Sequence, residues 1–266
     1  MLPLAMTDRI AVTRKVSSGM MRCELTHLKR TAIDVALARE QHAAYEQALR
    51  GLGYRVESLP EEPDLPDSVF VEDTAVVLDE VAVITRPGAP SRRAETASIA
   101  AVLGKYRQLV HIESPGTLDG GDVLRIGRTL CVGLSKRTNP EGIEQLTTLL
   151  RPYKYRVLAT TVRRCLHLKS AVGLLPNDGL LINSRYADRE EFMGMRFIEV
   201  DAAERFGANA LMLGEDVIYP SSKPRTADLL RARGIRVHTV EMSEMEKAEG
   251  GVTCCSLLIE PPDARR

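Results

Sequence analysis

The feature that most constrains this chain is a hairpin that recurs. Phe70 to Arg86 reads as an apolar run, a polar turn at Asp79-Glu80 and a second apolar run, Val81-Ala82-Val83-Ile84. Asp122 to Lys136 repeats the shape with a turn at Gly127-Arg128, Leu168 to Arg185 with one at Asn177-Asp178-Gly179, and Asn209 to Tyr219 with one at Gly214-Glu215-Asp216. Gly, Asn and Asp tolerate the positive φ of tight hairpin loops. The hairpins begin at positions 70, 122, 168 and 209, an interval of about 40 to 50 residues, which is the period of a repeated supersecondary unit.

Helical patterns fill the intervals. Ile33, Leu37, Ala44, Ala48 and Leu52 share one helical face, with Gly51 and Gly53 as stop signals. Thr138-Asn139-Pro140-Glu141 reads as a helix start, continued by Ile143, Leu146, Leu149 and Leu150. Thr226 to Arg233, before Gly234, is a shorter third case. Each unit is therefore a hairpin, a helix and a further strand. A strand at Val252 to Ile259 beside one at Arg9 to Thr13 supplies a fifth unit and closes a ring, which removes exposed sheet edges. No Ser/Gly-rich linker divides the chain, so residues 1–266 read as a single α/β domain, and strand ends converging on the axis place chemistry in the loops there.

Charge narrows the ligand. Lysine plus arginine and aspartate plus glutamate each number 36, so no global field attracts nucleic acid or an anionic membrane, and a small molecule is the expected partner. No apolar run reaches the roughly 18 to 20 residues of a membrane span, and the first nine residues do not form an export signal. Cys23, Cys131, Cys165, Cys254 and Cys255 are odd in number and lack CxxC spacing. That argues for reduced thiols in a cytoplasmic protein, without a disulfide framework or a structural zinc site.

Glu249-Gly250-Gly251-Val252-Thr253-Cys254-Cys255 leads two glycines into the expected C-terminal strand, setting a thiol where flexible backbone meets rigid backbone. Alone, a Cys pair is more often inert packing. His167, between Leu166 and Leu168 at the start of the third hairpin, is the histidine best placed to serve a thiol, although a histidine among leucines is commonly a core residue. Asp119-Gly120-Gly121-Asp122 is either a turn or a place where a ligand approaches the backbone closely. Asp67, Glu72 and Asp73 form a further acidic cluster, and adjacent carboxylates between Phe70-Val71 and Ala75-Val76-Val77 demand a cation. Arginines follow equivalent strands: Arg86, Arg92 and Arg93 after the first hairpin and Arg137 after the second. Arg93 reads as a solvated surface residue, but two of the set can clamp one carboxylate from both sides. A thiol, a histidine, carboxylates and distant arginines describe a site for a ligand with a planar cation at one end and a carboxylate at the other, a guanidinium compound of the arginine kind. Its cation would favour the thiolate of Cys254. No oxyanion hole is needed, because the attacked carbon starts cationic and becomes neutral.

With these residues in view, the chain resembles the dimethylarginine dimethylaminohydrolases of the guanidine-modifying (pentein) superfamily. The resemblance rests on Leu65 through Asp73, Ile84 through Arg93, Thr117 through Val123, Val132 through Asn139, Leu166 through Ser170 and Gly250 through Ser256, in order along nearly the whole chain. It implies a five-bladed αβ-propeller of ββαβ units with fivefold pseudosymmetry. It also implies hydrolysis of N-methylated arginines to citrulline through a covalent thiouronium, acting as monomer or homodimer without cofactor or metal; a zinc ion on Cys254 and His167 would inhibit. By the same resemblance Cys254 is the nucleophile, His167 the general acid/base and Asp119 its orienting acid. Glu72 and Asp73 would bind the guanidinium, Arg92 and Arg137 the α-carboxylate, and Asp67 the α-amino group, helped by a main-chain carbonyl near Leu25-Thr26; Ala248 also belongs to the substrate-binding set. The chain departs from the family at Ala248-Glu249, where a β-branched residue and Asp are usual, and in the flap Ser17 to Glu24. Two alternatives remain at this level: a hydrolase of another guanidine such as free arginine, and a non-catalytic protein that binds arginine derivatives.

Overall fold

A computed structural model of the protein describes residues 9–261; the first eight residues, where no export signal is read, lie outside the described part. In chain order the elements are β1 (Ile10–Arg14), α1 (Val35–Gly51) and β2 (Arg55–Leu59); then β3 (Ala75–Val77), β4 (Val81–Ile84), α2 (Thr96–Leu103) and β5 (Gln108–His111); then β6 (Val123–Ile126), β7 (Thr129–Leu134), α3 (Pro140–Leu150) and β8 (Arg156–Thr161). They continue with α4 (Leu168–Ala171), β9 (Val172–Leu175), β10 (Gly179–Ile182) and β11 (Arg196–Glu199); β12 (Leu211–Leu213), β13 (Asp216–Pro220), α5 (Pro224–Arg231) and β14 (Arg236–Val240); and finally α6 (Ser243–Lys247) and β15 (Leu257–Ile259).

The strands form five three-stranded sheets of one topology. In each, the first strand pairs antiparallel with the middle one, and the middle strand pairs parallel with the third after a crossover. These are the five blades of an αβ-propeller. Each sheet is separate, so the ring closes through packing between blades and not through one continuous ladder. The core lies between neighbours: Val81 and Val83 of one blade pack in one cluster with Leu130, Leu146 and Leu150 of the next. Arg125 and Arg128 of the second blade bind Asp79 and Glu80 in the first hairpin turn, so that turn also serves as a blade-to-blade clasp.

Turn chemistry explains the hairpins. Asn177 and Asp178 both take positive φ between β9 and β10, and Gly127 and Gly214 do so in their turns. Helix α3 begins as expected, with the Asn139 side chain accepting from the Gly142 amide and Pro140 in the first turn.

Three expectations need correction. The apolar stripe through Leu37, Ala44 and Ala48 is not the buried face of α1; Ala38, Gln41, His42, Tyr45, Glu46 and Leu49 are. Most polar groups inside there have partners: Glu46 accepts from Thr13, Gln41 donates to Ser243, and the Tyr45 hydroxyl donates to the Val252 carbonyl, while His42 Nδ1 faces Glu46 at 3.9 Å and its Nε2 has no hydrogen-bond partner among the described residues. The third blade carries only a single 3-10 turn, Arg189–Phe192, where the others have a helix. The C-terminal strand is Leu257–Ile259 alone, and Val252 to Cys255 forms a turn. Cys254 therefore sits in a tight loop ahead of the strand, held from behind by Tyr45.

Candidate active site

Five short segments bring their side chains together where the first strands of the blades start. The 3-10 turn Val71–Thr74 ahead of β3 carries Glu72 and Asp73; Gly120–Asp122 ahead of β6 follows Asp119; and His167 stands at the N-terminal end of α4, ahead of β9. The loop before β12 supplies Asn209, and the turn before β15 supplies Cys254. Pseudosymmetry thus delivers at least one reactive or polar side chain per blade to a common centre.

Backbone contact sets the register of these loops. The Glu72 amide donates to the Cys254 carbonyl at 3.1 Å, which joins the acidic turn to the turn of Cys254. A Cβ on Gly121 would stand 2.6 Å from His167 Nδ1 and 2.8 Å from Asp73 Oδ1, so only glycine lets the histidine lie this close to the backbone.

His167 is 5 % exposed, and its Nε2 meets Asp119 Oδ2 at 3.0 Å, with Asp119 wholly buried. The other Asp119 oxygen accepts from the Gly88 amide, and the Asp119 amide donates to Thr138, so the acid is fixed before it fixes the ring. His167 Nδ1 faces Asp73 Oδ1 at 3.7 Å. Burial alone would lower the imidazole pKa, but the carboxylates of Asp73, Asp119 and Asp122 overcome it and raise the ring to about 9. Asp122 is a further buried acid: it accepts from Ser135, Thr138 and the Leu168 amide, anchoring the histidine's segment, and burial pushes it up to about 6.

Cys254 is half-buried and Cys255 fully buried. The Gly251 amide donates to Cys254 Sγ at 3.3 Å. Burial first, then the negative charges of Glu72 and Asp73, drive the Cys254 thiol well above its usual range. Both effects favour the protonated thiol over the thiolate.

The acidic pair has found protein cations. Asp73 is paired with Arg92, and Glu72 with Lys169 at 2.7 Å. Burial would raise Asp73, yet the charges of His167 and Arg92 hold it down to about 2. Glu72 also accepts from Thr253 Oγ1, which in turn accepts from Asn209 Nδ2. Asp73, Asp119 and His167 offer three potential ligand atoms within 4.8 Å of one another. The histidine's Nε2 is already bonded to Asp119, and both Asp73 oxygens are engaged, by Arg92 and by the Gly121 amide.

Two adjacent cavities flank His167 and Cys254. The larger, about 210 Å³, is lined by Glu72, His167, Lys169 and Cys254 together with Leu166 and Phe206. The smaller, about 20 Å³, is lined by Asp67, Asp73, Arg92, Arg137 and Ala248, and shares His167 and Cys254 with the larger. Of the expected substrate-binding residues, only Leu25 lines neither cavity, although Glu24 and Leu28 on either side do. Arg92 is 4 % exposed and clasped by Glu95, Asp73 and the Phe70 carbonyl. Arg137 donates to the Thr26 hydroxyl, and Asp67 accepts from the Glu24 amide. Arg93, expected in solvent, is half-buried and bonds the Pro87 carbonyl.

The comparisons decide the family. The family model described as "Arginine deiminase" matches residues 6–202. The chain is 42% identical over 254 residues to an N(G),N(G)-dimethylarginine dimethylaminohydrolase of Streptomyces coelicolor, covering 95% of this chain and 97% of that one. The chain belongs to the arginine deiminase family, among its dimethylarginine dimethylaminohydrolases. A second such family member, from Pseudomonas aeruginosa, is 37% identical over 84% of this chain and 89% of its own. The solved structure of the Pseudomonas aeruginosa enzyme, a Cys-to-Ser mutant complexed with citrulline, superposes with a TM-score of 0.90 at 34% identity, covering 94% of this chain and 98% of that one. The cyanobacterial arginine dihydrolase domain, at 20% identity and a TM-score of 0.86, shares the family fold.

Sequence reasoning missed Tyr45, Lys169, Asn209 and Thr253. Lys169 had a signal: the acidic pair demanded a cation, and a lysine stands two residues after His167. Asn209 and Thr253 had none, since their bond spans 44 residues.

Proposed function

We propose that this chain hydrolyses the guanidinium C–N bond of N-methylated arginines, releasing citrulline and dimethylamine or methylamine. The observation that carries the reading is one cavity in which Cys254, Glu72 and an Asp119-bonded His167 meet. In the proposed reaction the substrate cation settles against Glu72 and Asp73 and offsets the two charges that hold the thiol protonated. The Cys254 thiol then loses its proton to solvent, and the thiolate attacks the guanidinium carbon. His167, protonated in the resting site, gives its proton to the departing amine. The neutral imidazole next takes a proton from water, which hydrolyses the S-alkylthiouronium and regenerates the thiol. Asp119 keeps the ring oriented in both half-reactions.

Arg92 and Arg137, with Asp67, Ala248 and the Leu25 region, are the proposed receptors for the amino-acid end. Their gathering at the small cavity supports an α-amino acid as substrate. We assign the whole stretch 1–266 to one catalytic domain, working in the cytoplasm as monomer or homodimer; five free thiols support a reducing compartment. No helix among the described residues is long and apolar enough to cross a membrane.

The test is citrulline release from asymmetric dimethylarginine, monomethylarginine and arginine, side by side without added metal. Turnover of the methylated substrates with little on arginine supports the proposal. Turnover of arginine alone replaces it with a deiminase, and tight binding without turnover replaces it with a binding protein.

A further inference from the structure

Residues 24–28 lie across both cavities: Glu24 lines the small one, and His27 and Leu28 line the large one. The backbone of its Thr26–Leu28 part is held down by one side chain from the opposite end of the sequence. Glu249 Oε2 accepts from the Thr26 amide at 3.0 Å, and Oε1 accepts from the His27 and Leu28 amides at 2.5 Å each. Three successive amide N–H groups converging on one carboxylate form an anion-binding nest, here filled by the protein's own side chain. Glu249 takes φ +60°, a left-handed conformation that a glycine reaches freely and a glutamate does not. Two glycines follow it directly, so the chain places a strained acid where relaxed residues are its immediate neighbours.

We propose that Glu249 is a positioning residue for the substrate's amino-acid end, acting through the flap: its carboxylate fixes the flap over the small cavity and so sets how the head group is held. The rest of the flap is attached to the head-group residues themselves. The Glu24 amide bonds Asp67, and the Thr26 hydroxyl bonds Arg137. A bound head group competes for those two attachments, whereas the Glu249 nest contains no head-group residue. Glu249 itself lines both cavities, but its two carboxylate oxygens are taken up by the flap amides. The loop therefore keeps the Glu249 nest, and the bond from Ser91 Oγ to the Glu24 carboxylate, while its attachments to Asp67 and Arg137 are exchanged for substrate. This inference rests on the proposed function for the identity of the head group; the anchor itself does not.

The experiment compares the wild type with Glu249→Gln, which keeps shape and one oxygen, and Glu249→Asp, which keeps charge but loses reach. Three readouts are taken: hydrogen exchange at the Thr26, His27 and Leu28 amides, KM and kcat for asymmetric dimethylarginine, and the rate of Cys254 alkylation by 2-chloroacetamidine, a small amidine with no amino-acid end. Expected are amide exchange faster by about tenfold or more in Glu249→Gln, a KM increase of similar size with kcat within about threefold, alkylation within about twofold of wild type, and Glu249→Asp between the two. Unchanged exchange at the three amides overturns the proposal. So does faster exchange with unchanged KM, or alkylation slowed as much as kcat/KM, which would place Glu249 in the chemistry or the fold at large. If the wild type turns over no methylated arginine, the proposed function falls, while the exchange rates still decide whether Glu249 anchors the flap.

Discussion

The two cavities share Cys254 and His167 but are built on opposite electrostatic plans. In the small one the principal cation, Arg92, is buried and permanently compensated: Asp73 and Glu95 flank it, and main-chain carbonyls take its remaining donors. In the large one the compensation is looser: Glu72 is met by the partly exposed ammonium of Lys169, and burial, then the charges of Glu72 and Asp73, drive the Cys254 thiol up. The first region is finished before substrate arrives, and the second is finished by it. A rigid, prepaid receptor suits the unchanging amino-acid end, while a loosely compensated one suits a group whose charge disappears during reaction.

The largest expected effect tests the reacting side. Cys254→Ser should lower kcat by a factor on the order of 10⁴ or more while citrulline affinity, measured by calorimetry, changes little. Citrulline binding lost in that variant would break the division into two sides. Asp119→Asn should leave the fold intact and cut kcat by about 10² to 10⁴, since the ring loses the acceptor that orients it; an activity within threefold of wild type would remove Asp119 from the mechanism.

Arg92→Leu addresses the finished side and should act on stability as much as on activity. It leaves Asp73 and Glu95 buried without their cation, at a cost of about 3 to 5 kcal/mol in urea unfolding. A cost under about 1 kcal/mol would show that Arg92 is not the keystone of the small cavity. The smallest effect sharpens the electrostatic contrast. The folded His167 pKa, about 9, lies above the ordinary value of 6.5, so the protonated ring stabilises the fold fully below pH 6.5. That contribution, about 3 kcal/mol, fades as pH rises through 9. Relative to His167→Asn, the wild type should therefore lose stability between pH 6.5 and 9; parallel profiles for the two proteins would contradict the raised pKa.

The repeat was legible because turn residues and apolar alternation are local signals, and four hairpins fell where Asn177-Asp178-Gly179 and its counterparts placed them. The buried face of α1 was not, because Gln41 and Glu46 enter the core through the partners Ser243 and Thr13 that no helical periodicity reveals. The proposed catalytic trio, Cys254, His167 and Asp119, stood out by residue type and family resemblance. The supporting groups did not: Lys169, Asn209, Thr253 and Tyr45 owe their roles to contacts across blades. Glu249 was visible as an unusual acid beside the pocket, but its target, three amides more than 220 residues earlier, was not.

The fifth blade is the one assembled from both ends of the described chain, with β1 paired antiparallel to β15 and the nucleophile's turn just before β15. Since β1 precedes β15 by the whole of the other four blades, it must wait for them to be made before its partner appears. Cys254 follows Glu72, Asp119 and His167 in chain order and is delivered by the same segment that seals the ring. Under the proposed mechanism, a chain ending before that turn would carry the acids, the histidine and the arginines without the thiol, and would be inactive.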